Sequence, residues 1–288
     1  MIWYVYALAA ALLLTMAVLL EKRNLNKIHA LEFSTETSFY GLVLSMFLLP
    51  FVKWNFDFTS YLLILTCGIT GIFAFLLFNK ALRHAEVSEV APLINFEVIF
   101  TLLFAIIILR DLPERAQIAG VLLIFVGAYL LELPTRGLVL SPFRSFAGSK
   151  SLAWLLVSMA LYGFNRVIAK VTLEEVPPLS LVFFGYLIFF FGYSLINWLS
   201  FRENLTRLRS LLKLHGIGLF LTSLAVFGYR LVMTYALGAG SAPLTSAIAR
   251  TSTFFTALAG GQIFSETHLK SKLIASLIIL TGVVLIVI

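Results

Sequence analysis

Ten apolar stretches, most of them close to the roughly 20 residues a helix needs to cross a bilayer core of about 30 Å, fill almost the whole of this chain. They run near 2–20, 33–52, 60–79, 87–109, 115–133, 151–171, 179–200, 214–237, 242–264 and 269–288. In hydrocarbon every backbone N–H and C=O must find its partner within the protein, and a helix does this within one segment. Of the 288 residues, 60% are hydrophobic and 12% are charged, against about 25% charged in soluble domains. The mean hydropathy is +1.00. So few charges cannot coat a water-soluble fold of this size. The expected fold class is an all-α integral membrane protein with about ten transmembrane helices. It would be multi-pass in an inner or plasma membrane, with little chain left for a soluble domain. The stretch 2–20 has no basic residues before it, and Lys22, Arg23 and Lys27 follow it, which predicts a first membrane helix rather than a signal peptide.

The separators suit that reading. Glu21–His29 is polar, Pro50–Asp57 holds a turn, and Pro177-Pro178 ends the connection before the seventh helix. Pro92, Pro113 and Pro243 fall near helix starts, where a missing N–H costs least. The net charge of +7 would raise nucleic acid as a partner in a soluble protein. Here most Lys and Arg lie in loops, and no basic run is interleaved with exposed aromatics, so no nucleic-acid partner is expected. Cys67 is the only cysteine, which leaves no disulfide framework. His29, His84, His215 and His268 fall at loops or helix ends without a partner at ligand spacing, so neither metal nor cofactor is expected.

The long polar connection 134–150 divides the chain near its midpoint. Shifting the sequence by 155 residues aligns 76–131 with the second half without gaps. Ala81-Leu82 falls on Ala236-Leu237, Phe100-Thr101 on Phe255-Thr256, Leu122 on Leu277, Ile124 on Ile279 and Gly127 on Gly282. Asp111 and Arg115 fall on Glu266 and Lys270, at the same turn between the same two helices. The first two helices of each half align at a shift nearer 149. The expected organisation is a five-helix repeat over 1–133, a connecting loop over 134–150 and a second five-helix repeat over 151–288. An odd number of helices per repeat inverts the second half across the bilayer, as in many transporters.

Helix four opens with Ala91-Pro92 and helix nine with Ala242-Pro243. Each leads to an acidic turn, Arg110-Asp111 or Ser265-Glu266, and then to a closing helix with a late glycine, Gly127 or Gly282. With this texture and five-plus-five organisation, the whole chain resembles the drug/metabolite transporter superfamily, specifically its EamA-type members. It departs from them in lacking a Trp-Gly in helix one and in offering only Tyr162-Gly163 in helix six. The resemblance implies a central substrate cavity lined by helices one to four and six to nine, with helices five and ten peripheral. It also implies a substrate among amino acids, other metabolites, nucleotide sugars and drugs, with export the commoner direction.

Orientation is left open between two expectations. Loops after odd-numbered helices carry 14 of the 21 Lys and Arg, and the opposite loops carry Lys53, Arg110, Arg115 and Lys170. The positive-inside rule then puts both termini outside, whereas the resemblance puts both in the cytoplasm.

Four charges fall inside predicted spans: Glu97, Arg166, Arg230 and Arg250. Each costs roughly 2.5–3.5 kcal/mol at a helix centre on insertion scales, so such residues pair with one another or face a wet cavity. Counted from the helix ends at 1.5 Å per residue, the three arginines lie at one depth, roughly 9–12 Å below one face. Their counterparts in the first half are Ala17, Phe75 and Asn95. A guanidinium fork suits carboxylate or phosphate, so Arg230, Arg250 and Arg166 are candidates for an anion site. The competing expectation is that they pair with Glu97 or Glu36, or that Arg166 snorkels to the interface. Asn165 and Tyr162 accompany Arg166; Phe227 and Thr234 share a face with Arg230; Asn95 is the repeat counterpart of Arg250; and Ser252 sits in the hydroxyl run Thr251–Thr253.

The expected function is a secondary transporter that moves a small metabolite, an amino acid or other organic anion, by alternating access through a central cavity. The expected partners are that small molecule and membrane lipid, with a homodimer left open. With no ATP-binding glycine loop, the drive is a gradient or exchange. Two alternatives stand beside it: a carrier of neutral or cationic compounds with structural arginines, and a membrane enzyme or lipid-headgroup-handling protein. The second lacks a His/Asp/Ser set and a carboxylate cluster, so no enzyme is expected.

Overall fold

A computed structural model describes residues 3–25, 28–84, 93–110, 112–132, 150–200, 205–253, 255 and 269–287. Within them lie ten α-helices and no strand: α1 Trp3–Leu25, α2 Ala30–Ser45, α3 Phe58–His84, α4 Phe96–Phe104, α5 Arg115–Glu132, α6 Lys150–Thr172, α7 Pro178–Ser200, α8 Leu205–Ala239, α9 Ala242–Ala249 and α10 Leu269–Val287. Helix α2 tightens into a 3-10 turn over Met46–Phe51, and α4 widens into a π-helical turn over Ala105–Leu109. Five helices, α1, α3, α6, α7 and α8, are long and apolar enough to span a bilayer, and shorter apolar segments lie in α4, α5 and α10. Large apolar side chains point outward, with Phe58 83%, Ile217 80% and Phe47 77% exposed. A water-soluble monomer rarely shows so much apolar surface; lipid covers it here. Asp111, the Glu266 turn, Pro92, Gly260-Gly261 and most of the 134–150 connection lie outside the described residues. Lys150, assigned to that connection from sequence, opens α6.

Local chemistry accounts for the helix ends. Asp57 Oδ1 accepts the Ser60 N–H at 3.0 Å, capping α3. Pro178 begins α7 and Pro243 lies in the first turn of α9. Arg110 adopts a left-handed conformation, φ 53°, at the end of the π-helical turn.

Two helices expected to be continuous are interrupted. A turn falls at Asn95 just before α4, and another at Arg250-Thr251 just after α9. Asn95 and Arg250 are counterparts under the 155-residue shift. Both interruptions carry the same short hydrogen bond: Val98 N–H to Asn95 O at 3.2 Å, and Thr253 N–H to Arg250 O at 3.0 Å. Asn competes with its own backbone in helices. After α9 the hydroxyls of Thr251 and Thr253 bond back to the Ile248 and Arg250 carbonyls at 2.8 and 2.9 Å, a pattern that bends helices.

The packing repeats as the sequence does. The α1–α8 contact is matched by α6–α3, α4–α6 by α9–α1, and α2–α8 by α7–α3. The pairs α2–α7, α4–α9 and α5–α10 join counterparts directly. Glycines show the same correspondence at atomic detail. A Cβ on Gly282 would lie 2.7 Å from Gly120 O and 2.9 Å from Ile124 N; one on Gly127 would lie 2.9 Å from Ala275 O and 3.0 Å from Ile279 N. Adding 155 to Gly120 and Ile124 gives Ala275 and Ile279. Helices α5 and α10 therefore meet backbone to backbone, as small residues allow in membranes. Gly282→Val is expected to force them apart at about 1–3 kcal/mol, the usual cost of overpacking. A lowered unfolding midpoint in detergent checks this, and an unchanged midpoint removes the close-packing account.

Candidate functional site

One cavity of about 180 Å³ lies between the halves. Drug-sized ligands occupy pockets of about 300–1,000 Å³, so this one suits a smaller solute. Its wall comes from α1, α3, α4, α6, α7, α8 and the turn after α9. Among the lining residues none belongs to α5 or α10, and α2, which the resemblance would include, supplies none either.

Of the residues singled out from sequence, Glu97, Tyr162, Asn165, Arg166, Arg230, Thr234 and Arg250 line the cavity. Asn95, Phe227 and Ser252 do not. Asn95 and Ser252 are buried at the helix interruptions, and Phe227 packs its ring on Tyr186 at 5.6 Å between centroids. The interruptions change the helical phase, so faces assigned by continuous periodicity fail beside them. Thr234 donates to the Arg230 carbonyl at 2.7 Å. Asn165 donates to Cys67 O and Thr70 Oγ1, both at 2.7 Å, tying α6 to α3.

The three arginines share the cavity but not one role. Glu97, in the first turn of α4, takes two of them. Arg166 Nε reaches Glu97 Oε1 at 3.1 Å, and Arg250 Nη2 pairs with Glu97 Oε2. Arg166 also donates to the Tyr229 hydroxyl. The carboxylate side chain is only 3% exposed. Arg166 is thus held at Glu97 rather than snorkelling outward. Glu36 meets no arginine among the described residues; it is buried in α2 with Oε1 lacking a hydrogen-bond partner there.

Arg230 differs. Among the described residues it has no carboxylate within ion-pair distance, and aromatic rings surround it. Its Cζ lies 4.3 Å from the centroid of Phe189, 5.6 Å from Tyr186 and 5.8 Å from Phe75. Phe75 is the repeat counterpart of Arg230, so their contact puts both near the axis relating the halves. Two glycines seat this box. A Cβ on Gly41 would overlap the Tyr186 ring, and one on Gly71 would come within 2.7 Å of Phe189 Cε1.

Sequence reasoning missed Glu21, Phe75, Tyr186, Phe189 and Tyr229, all in the wall. Glu21 was read as part of a polar separator, yet it is buried inside α1. The aromatics gave no contrast in a chain with 27 Phe and 10 Tyr.

A helical bundle of related halves enclosing a charged, solute-sized cavity is the architecture a multi-pass membrane transporter requires. The profile of the EamA-like transporter family matches residues 1–133 and 149–288, and the chain belongs to that family, within the drug/metabolite transporter type. No curated protein matches it. Solved structures do: 29 chains match, among them a crystal structure of a protein with 13% sequence identity and a TM-score of 0.73, the alignment covering 99% of this chain and 98% of the other. At that identity the likeness concerns the fold alone.

Proposed function

We propose that this transporter moves a small organic anion, an amino acid or other organic acid, by alternating access, with export as the working direction. The observation that carries the reading is Arg230: a permanent cation in the cavity wall, near the axis between the halves, with no ion-pair partner among the described residues. Glu21, on the same wall, acts on Arg230 electrostatically but makes no ion pair with it among the described residues; a buried charge without a contact partner is costly in a membrane, and a bound anion would supply that contact. Arg166 and Arg250 contribute less to substrate affinity because Glu97 already engages both. The interruptions beside Asn95 and Arg250 lie at counterpart positions, where rocking of one half against the other would be absorbed. The drive is a solute gradient or exchange.

Proteoliposomes loaded with an equimolar panel of amino acids and short carboxylates, with efflux followed by mass spectrometry, test the reading. The wild-type chain is expected to release at least one anionic solute. Arg230→Gln is expected to slow that release at least tenfold while keeping normal yield and unfolding midpoint. Equal release by the variant sinks the anion-site reading.

A further inference from the structure

The cavity wall holds three guanidiniums, Arg166, Arg230 and Arg250, and two carboxylates, Glu21 and Glu97. With all five ionised the wall carries one net positive charge. Two of the guanidiniums close on Glu97, which leaves Arg230, with no carboxylate at ion-pair distance among the described residues, as the guanidinium free to take an anion by direct contact. A second polar group waits beside it. Tyr186 is only 3% exposed, lines the cavity with its ring 5.6 Å from Arg230 Cζ, and its hydroxyl has no hydrogen-bond partner among the described residues. Buried hydroxyls are nearly always satisfied, so an orphan hydroxyl on a ring packed against the Arg230 guanidinium is a second donor available to a ligand's acceptor atoms. Apolar side chains make up the wall beside Arg230, Phe75 and Phe189 against its guanidinium and Val182 and Leu181 further along, while Tyr162, Asn165, Tyr229 and Thr234 line other parts of the cavity.

We infer that the substrate is a monoanion with an apolar body, its carboxylate bound by Arg230 and the Tyr186 hydroxyl and its body laid against Phe189 and Phe75. This inference rests on the anion-transport reading and narrows it. A monoanion brings the wall to neutrality. A zwitterion leaves the net positive charge in place, and a dianion reverses it; both leave an uncompensated charge in a low-dielectric space. An aromatic wall gives a hydrophilic acid little to bind, whereas an apolar body gains burial.

The test uses four probes with a phenyl body and different heads: 3-phenylpropanoate, phenylalanine, phenyl phosphate and 2-phenylethylamine. Dissociation constants are measured by calorimetry on the purified full chain at pH 7.5, where phenyl phosphate is predominantly dianionic. Phenylpropanoate is expected to bind at least tenfold more tightly than the other three. Tyr186→Phe is expected to weaken it about three- to tenfold, and Arg230→Gln at least thirtyfold. Phenylalanine or phenyl phosphate binding as tightly as phenylpropanoate, with Arg230 still required, overturns the monoanion inference and leaves anion transport standing. Binding of any of the acids that ignores Arg230→Gln overturns both. No binding by phenylpropanoate overturns the inference, and the efflux panel then decides the broader reading separately. Circular dichroism and size-exclusion profiles of each variant separate lost binding from lost folding.

Discussion

Glu97→Gln lowers stability by about 3–5 kcal/mol, the cost of removing one partner from a buried ion pair, read as a fall in the unfolding midpoint in detergent. Glu97 is the shared counter-ion of Arg166 and Arg250 and its side chain is 3% exposed. Gln keeps the size but not the charge, so two guanidiniums would remain side by side without compensation. The arginine variants are expected to cost less. Arg250→Gln leaves Glu97 paired with Arg166, and Arg166→Gln leaves it paired with Arg250. The double variant Glu97→Gln/Arg250→Gln is expected to recover part of the loss, because the remaining Arg166 still has the Tyr229 hydroxyl. That recovery is a coupling between residues 153 positions apart in sequence, which a double-mutant cycle reads directly. An unchanged midpoint for Glu97→Gln would falsify the role of Glu97 as the charge that closes the second half onto the first.

The cost of intramembrane charge made this cluster visible in sequence before any coordinates. Each of the four charges selected on that ground lines the cavity. Pairing with Glu97 stood as the competing expectation; which arginines it takes was not legible, because helix periodicity says which residues share a face but not which helices face each other. The depth estimate put three arginines in one layer as candidates for an anion site, with snorkelling as the alternative for Arg166; in the structure Glu97 engages Arg166 and Arg250, and Arg230 stands apart from it. The repeat was legible because its counterparts are spaced evenly, and the packing of Gly127 and Gly282 shows why those glycines stand where they do. Asn95 and Ser252 were chosen as a counterpart and as a neighbour within helices taken to be unbroken. The turns at Asn95 and Arg250 rotate both away from the wall. Glu21 was hidden for a different reason. It stands next to Lys22 and Arg23, so composition alone reads the stretch as solvated, while α1 continues through it to Leu25.

Gly163→Val is expected to disturb the same cluster from a distance, through backbone packing rather than charge. A Cβ on Gly163 would lie 2.8 Å from Phe100 Cβ and 2.8 Å from Thr101 N, so α6 can rest on α4 at this height only with glycine there. One turn along α6 stands Arg166, and one turn back on α4 stands Glu97; their 3.1 Å contact depends on that approach. Valine must move the helices apart, at about 1–3 kcal/mol for overpacking, and the displacement lengthens the Arg166–Glu97 bond. Two effects then follow together. The unfolding midpoint falls, and Glu97→Gln costs less in the Gly163→Val background than in the wild type, because part of its interaction is already gone. Gly185→Ala serves as the control: nothing lies within 4 Å of a Cβ there, and Ala favours a helix over Gly by up to about 1 kcal/mol, so its midpoint should hold or rise. Strict additivity of Gly163→Val with Glu97→Gln would mean that the glycine contact and the ion pair are independent, and that the site is not set by how closely α4 and α6 approach.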